Sequence, residues 1–279
     1  MREILPTTLN GDDAGRLLCG FNVFGYEEAL AVVQAAEALG APTLLMVNRA
    51  LAAHMSPSII GPMLHSLAQQ AHVPIGVHLD HAYDITIIQQ ALDSGFTSVM
   101  YDGSQLPLSE NIRNTQRVSE LTKAAGASLE GEVGTVPYSD LGEGHPQFTD
   151  PDQAGKFARE TGVDALALSV GNIHRLEQKG QVDIDFDRLQ EIENRTEIPL
   201  VIHGASGLSD SDLMQLCQTH VAKINVGTQL RQAYTLALKE YLRTHPQDFD
   251  PLRLRSATIP RVQMAAESIL KICNWNELK

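Results

Sequence analysis

Ile75-Gly76-Val77-His78-Leu79 is a short apolar run with β-branched members, and it closes on the polar pair Asp80-His81. Seven other runs share its character: Leu18 to Val23, Thr43 to Val47, Ser98 to Tyr101, Ser128 to Glu132, Ala165 to Ser169, Leu200 to Ile202 and Val221 to Asn225. Longer stretches with helical periodicity separate them, which is the pattern of parallel strands joined by crossover helices. Eight such units predict a closed α/β architecture, the (β/α)8 TIM barrel, and a chain of 279 residues suits one barrel as a single domain over residues 1–279.

The punctuation between the strands agrees. Glu27 to Leu39 is rich in alanine and stops at Gly40, and Pro151 to Glu160 follows Asp150 as N-cap with proline at the first helical position. A short N-terminal helix at about Thr8 to Ala14 is expected to close the bottom of the barrel. The stretch Thr228 to Lys279 reads as a helical C-terminal extension, with Trp275 at a subunit contact. Gly134 to Thr149 holds glycines, two prolines and acidic residues without periodicity. A loop of that length in a compact fold is usually functional, and it is read as a lid.

Composition excludes several function classes. Lys plus Arg number 21 against 34 Asp plus Glu, a net charge of −13, and a field of that sign repels nucleic-acid backbones and anionic membrane surfaces. An anionic substrate would need local positive charge from a metal, a few basic residues or helix N-termini. The three cysteines, Cys19, Cys217 and Cys273, are far apart and form neither a thiolate zinc motif nor a disulfide framework. Met1 to Gly20 carries charges and no long apolar run, so a secretory signal and a membrane span are not expected and a cytoplasmic protein is.

In such a barrel the chemistry sits at the C-terminal ends of the strands. Here those ends are polar: Asp80-His81, Asp102, Glu132, the Gly171-Asn172-Ile173-His174 loop, His203 and Asn225. Any one of these histidines is more often a hydrogen-bonded barrel residue than a ligand. His81, His174 and His203 together, after three different strands, are suited to converge as a three-histidine site for a borderline divalent cation with an open position. Asp80 reads as a proton-transfer group, with orientation of a ligand as the alternative. Asp102 and Glu132 are candidate ligands for a shifted metal or polar residues of the barrel mouth. His78 shares the face of Asp80 and is a candidate to orient a neighbour. The turns His203-Gly204-Ala205-Ser206-Gly207 and Asn225-Val226-Gly227-Thr228 lead into helices and suit an anion such as phosphate.

With those residues assembled, the sequence resembles the class II, metal-dependent ketose-bisphosphate aldolases, the family of fructose-1,6-bisphosphate and tagatose-1,6-bisphosphate aldolases. The resemblance runs through Gly20-Phe21-Asn22-Val23, Val77-His78-Leu79-Asp80-His81, Val99-Met100-Tyr101-Asp102-Gly103-Ser104, Leu129-Glu130-Gly131-Glu132-Val133-Gly134, Leu200-Val201-Ile202-His203-Gly204-Ala205-Ser206-Gly207 and Lys223-Ile224-Asn225-Val226. It implies that His81, His174 and His203 bind Zn2+ and that Asp80 is the acid/base at the C4 oxygen of a ketose phosphate. It implies further that Asn225 touches the enediolate and that Gly204, Ala205, Ser206, Asn225, Val226, Gly227 and Thr228 hold the dihydroxyacetone phosphate half. Asp102 and Glu132 match positions near a secondary metal location, and a second divalent or a monovalent cation stays open. A second acid/base is expected on the loop after the fifth strand, at Asp140, with Glu143 as its alternate. A homodimer or homotetramer is implied, with a small-molecule ketose phosphate as the partner.

Several residues depart from that family's pattern. Arg175 follows His174 where glycine is typical and is expected to place a bulky cation near the phosphate end of the substrate; Pro137-Tyr138 replaces a Gly-Gly pair, Asn48 a serine and Gln229 an acidic residue. These changes leave the metal and proton-transfer groups and alter the pocket wall, so the ketose phosphate need not be fructose-1,6-bisphosphate. A barrel metal-dependent hydrolase and a non-catalytic aldolase-like subunit are the competing readings.

Overall fold

The computed structural model describes Met1, Leu5 and residues 14–139, 147–180 and 182–275. Eight parallel strands close into a barrel in chain order: β1 (Leu18–Asn22), β2 (Thr43–Asn48), β3 (Ile75–Ala82), β4 (Ser98–Tyr101), β5 (Ser128–Val133), β6 (Ala165–Leu168), β7 (Leu200–Ile202) and β8 (Val221–Val226). The ring closes where β1 pairs with β8, Gly20 opposite Asn225. The described helices that cover it are α1 (Tyr26–Leu39), α2 (Arg49–His54), α3 (Pro57–Gln70), α4 (Ile85–Asp93), α5 (Leu108–Ala125), α6 (Pro151–Thr161), α7 (Phe186–Glu193), α8 (Asp210–Leu216), α9 (Thr228–Thr244), α10 (Pro251–Ser256) and α11 (Ile259–Ile272). The expected (β/α)8 TIM barrel is therefore what forms.

Strand parity explains why each residue faces as it does. Phe21, Leu45, Val47, Val77, Leu79, Val99, Leu129, Leu166 and Ile202 point outward and join one core with the surrounding helices. Their neighbours Leu18, Leu44, Met46, Met100, Ala165, Ala167 and Val201 form a second, separate cluster that fills the barrel interior. Met1 and Leu5 pack into this inner cluster, and Leu5 is wholly buried. Of the short helix expected at Thr8 to Ala14, residues 8–13 lie outside the described residues.

The helix ends follow their local chemistry. The Asp150 side chain accepts from the Gln153 N–H at 2.9 Å at the start of α6, with Pro151 in the first turn. Gly40 ends α1 at φ 61°, in the left-handed region that suits glycine. Beyond α9, helix α11 packs against both α1 and α9.

Trp275 corrects one expectation. It is only 3% exposed, its indole N–H donates to the Leu17 carbonyl at 2.8 Å, and the Arg16 guanidinium lies 4.7 Å from its ring centroid. Its burial is satisfied within its own chain, at the entrance to β1, because α11 delivers it there. Trp275→Ala is expected to lower unfolding free energy by about 3–5 kcal/mol in urea titrations, the usual cost of an emptied tryptophan site, with the oligomeric state unchanged on size-exclusion chromatography.

Candidate active site

The upper interior of the barrel is polar where the lower interior is apolar. His78, Asp80, Glu130, Glu132, Lys223 and Asn225 are all buried there. Two backbone features bring the histidines together above them. His81 sits at φ 54°, and the register between β3 and β4 shifts between Leu79 and Ala82. This bulge interrupts the strand's alternation, so the consecutive side chains of Asp80 and His81 both serve the mouth. After β7, Gly204 takes φ 68°, and a Cβ on it would stand 2.3 Å from the Ile173 carbonyl oxygen. Only glycine lets the loop after β6 cross that closely, and the crossing sets His174 beside His203.

The three rings pack edge to face, with centroids 4.9 Å apart for His81 and His174, 4.7 Å for His81 and His203, and 5.6 Å for His174 and His203. Carboxylates fix two of the tautomers. His81 Nδ1 lies 2.8 Å from Asp102 Oδ2, and His203 Nε2 lies 2.8 Å from Glu130 Oε1. An ionised carboxylate only accepts, so those nitrogens carry the hydrogens. His81 Nε2 and His203 Nδ1 then face each other across 2.9 Å. Burial opposes a charge on His81, but Asp80 first, then Tyr138 and Asp102, raise its pKa well above the usual imidazole range, so a proton on His81 competes with a cation for that position. His174 Nε2 is buried and has no hydrogen-bond partner among the described residues. Three imidazole nitrogens gathered in this way are the donor set for a borderline divalent cation, with carboxylates behind them as such sites require.

Asp80 stands beside this cluster, its Oδ1 3.9 Å from His81 Nε2. Asn225 Nδ2 donates to Oδ1 at 3.1 Å and Asn22 Nδ2 donates to Oδ2 at 3.0 Å. Burial raises its pKa, but the positive fields of His81 and His203 outweigh burial and hold the carboxyl below its ordinary range. Asp102 behaves likewise: burial opposes ionisation, yet the bond to His81 and donors from Ser104 bring it down to about 2. Glu132 is the opposite case. Burial, then the neighbouring Asp102, push it well above the carboxylate range, and its Oε2 has no hydrogen-bond partner among the described residues. That oxygen lies 3.7 Å from His81 Nδ1, so His81, Asp102 and Glu132 form a second possible cation cluster on the far side of the same ring.

The cavity beside the histidines, about 190 Å3, is lined by Asp80, Asn225, Gly204, Ser206, Gly227 and Thr228, among others. The side chains of Ala205 and Val226 turn away into the outer apolar core. Arg175 lines the cavity at φ 61°, so it keeps a glycine-type backbone while carrying a long cationic side chain. Its guanidinium lies 5.0 Å from the Tyr138 ring centroid, and Tyr138 stacks on His174 at 4.4 Å and 18°. Two hydrogen bonds, His174 N–H to Pro137 O at 2.9 Å and Ser139 N–H to His174 O at 3.1 Å, pin the start of the expected lid to this loop. Asp140 and Glu143 lie outside the described residues.

Sequence reading passed over four participants. Glu130 and Lys223 each sit two residues before a predicted site residue, Glu132 and Asn225, so strand parity carried the signal. Asn22 closes β1 in the same way, and Arg49 follows β2 directly. His78 does not reach Asp80: its Nδ1 pairs with Ser98 Oγ at 2.8 Å, and burial first, then Lys223, lower its pKa to about 3.

Residues 9–277 match the family described as fructose-bisphosphate aldolase class-II. The chain belongs to the class II fructose-bisphosphate aldolase family. Among solved structures, the YdjI aldolase from Escherichia coli K12 superposes with a TM-score of 0.86 at 31% identity, covering 99% of this chain and 96% of that one. The fructose-bisphosphate aldolase of Campylobacter jejuni superposes with a TM-score of 0.81, covering 95% of this chain and 92% of that one; at 20% identity it speaks to the fold. Class II aldolases are metal-dependent lyases, and the residues present fit a metal on their own chemistry. Asp102→Ala, which frees the His81 ring, is expected to weaken divalent-metal binding about 10–100-fold in chelator-competition titrations.

Proposed function

We propose that this protein is a zinc-dependent aldolase that reversibly cleaves a ketose phosphate into dihydroxyacetone phosphate and an aldehyde. The observation that carries the reading is the convergence of His81 Nε2 and His203 Nδ1 at 2.9 Å, with His174 Nε2 unpartnered among the described residues and Asp80, held below its ordinary range, within reach. His81, His174 and His203 would hold the zinc, a choice supported by three nitrogen donors. Asp102 and Glu132 would serve a second cation position. When bound, the metal supplies Lewis-acid stabilisation of the negative charge that C3–C4 cleavage leaves on the C2 oxygen.

The chain's own groups do the rest. Asp80, bracketed by two amides, takes the C4 hydroxyl proton, and Asn225 meets the dihydroxyacetone half beside it. The phosphate goes to Gly204, Ser206, Gly227 and Thr228, where backbone N–H groups and the start of the 17-residue helix α9 favour an anion. Ala205 and Val226 contribute there through the backbone alone. Arg231, which donates to Thr228 Oγ1 at 3.1 Å, adds charge at this end. Asp140, or Glu143, is kept as the lid acid/base on the strength of the resemblance.

Arg49 and Arg175 mark the other walls. Arg49 lines this cavity and an adjoining one of about 420 Å3, and its guanidinium lies 5.1 Å from the Tyr83 ring centroid. Among the described residues it has no carboxylate partner, which supports an aldehyde half that ends in an anion. A homodimer or homotetramer is the proposed assembly, supported by the exposed Leu236, Leu252 and Met264 of the C-terminal helices.

A panel of ketose 1-phosphates, followed by triose-phosphate release with and without chelator, tests the reading. Chelator-sensitive release supports it, and water-derived products without an aldehyde point to a hydrolase. Asp80→Ala is expected to keep its metal and lose about 10²–10⁴-fold in kcat. Arg49→Leu is expected to lower kcat/KM about 10–100-fold for substrates with an anionic far end, and to leave neutral ones unchanged, as loss of one charge-assisted hydrogen bond would.

A further inference from the structure

We infer that Lys223, buried in the barrel beneath the histidines, is a positioning residue for Asp80 that acts through Asn225, with Glu130 joining it to His203. The inference rests on the proposed role of Asp80 and extends it to a pair of charges that never touches the cavity.

Lys223 and Glu130 are both wholly buried. Lys223 Nζ donates to Glu130 Oε2 at 2.8 Å and to Asn225 Oδ1 at 2.6 Å. Glu130 gives its other oxygen to His203 Nε2, and Asn225 gives its amide N–H to Asp80. One unbroken chain of hydrogen bonds thus runs His203, Glu130, Lys223, Asn225, Asp80 through the barrel, from β7 by way of β5 and β8 to β3.

Donor inventory dictates the direction of this chain. An ammonium has donors and no acceptor, so it can face only the oxygen of the Asn225 amide. That fixes Asn225 Nδ2 toward Asp80, since a flipped amide would set N–H groups against the ammonium and oxygen against a carboxylate. Asp80 is then held at both oxygens, by Asn225 and by Asn22, with its remaining lone pairs free to accept a proton from the cavity. Without Lys223 the Asn225 amide is oriented by Asp80 alone, and the support it gives to Asp80 loses its anchor at the oxygen end.

Stability does not explain the pair. A buried ion pair is commonly matched or bettered by apolar residues of similar volume. The lower interior of this same barrel is built from leucine, methionine, alanine and valine. The charges stand where the barrel turns from apolar filling to chemistry, and what they accomplish there is orientation of one amide and one imidazole.

The test is a double-mutant cycle with the ketose phosphate cleaved fastest in the panel. Lys223→Met is expected to lower kcat about 10–100-fold with little change in KM, and to lower it less than about 2-fold further in an Asn225→Ala background. Metal content and the visible spectrum of the cobalt-loaded protein are expected to stay as in the wild type, while the Asn225 side-chain amide protons exchange faster with solvent by NMR. If Lys223→Met does not fold, Lys223→Met/Glu130→Gln replaces it, because glutamine still accepts from His203 and leaves no unpaired buried charge. An equal loss of kcat in both backgrounds, unchanged kcat, or unaltered exchange of the Asn225 amide would overturn the inference. Those results leave the aldolase reading standing, whereas full turnover in Asp80→Ala would remove the premise instead.

Discussion

Two imidazole nitrogens, His81 Nε2 and His203 Nδ1, stand 2.9 Å apart, a spacing that calls for a proton or a cation between them. The carboxylates on the opposite edges of the rings impose it, because Asp102 and Glu130 claim the N–H of His81 and of His203. Repulsion between the facing lone pairs is relieved by a proton or by a cation. Burial opposes a charge on His81, but Asp80 first, then Tyr138 and Asp102, raise its pKa well above the usual imidazole range. Asp80, Asp102 and Glu130 are held below the carboxylate range beside that ring and the Lys223 ammonium, while Glu132 is pushed toward its neutral form. A divalent ion among the three histidines, as proposed, would balance those charges, and buried charge left unbalanced is costly.

The fold supplies this constraint by local departures from regular structure. A regular β3 would send Asp80 and His81 to opposite faces of the sheet, and the left-handed backbone at His81 prevents that at a cost of order 1 kcal/mol. A side chain at Gly204 would hold the two loops apart and His174 away from His203. Strained or small residues therefore lie within one position of each histidine: His81 itself, Gly204 beside His203, and Arg175 beside His174. The expenditure is concentrated where three histidines from separate strands meet, and the other register shift lies between β7 and β8, at Leu200 and Val201.

Much of this was legible beforehand. Strand identity came from short apolar runs, and the structure reproduces all eight to within one to three residues at their ends, the largest difference being β3, which runs to Ala82 because its bulge continues the pairing. Convergence of the histidines followed from topology, since the C-terminal ends of parallel strands share one mouth. Glu130 and Lys223 escaped notice because a charged residue inside a strand reads as solvent-facing until its partner is known. Each neutralises the other, and no single-residue property announces that. Trp275 failed differently: a lone tryptophan near a terminus looks like an interface residue, and only the path of α11 shows that it returns to β1. Val226 and Ala205 belong to turns of the right kind, but parity sends their side chains outward.

Charge placement at the mouth completes the argument. The chain as a whole carries −13, yet the cavity beside the histidines is lined by three guanidiniums, Arg49, Arg175 and Arg231, and by one carboxylate, Asp80. A surface field of that sign slows a phosphorylated ligand at long range, but it is screened beyond roughly 8–10 Å at physiological salt. Inside that distance the local arginines and the helix start at Thr228 dominate. Arg231 serves the end where the phosphate loops lie, while Arg49 leans on Tyr83 across the site and Arg175 leans on Tyr138 above His174. Tyr138 is itself fixed by its stack on His174, and Tyr83 shares the adjoining cavity with Asp102, the carboxylate that orients His81. The arginines proposed to read the substrate and the imidazoles proposed to gather the metal thus lie against the same few side chains, so a change in either would be felt by the other.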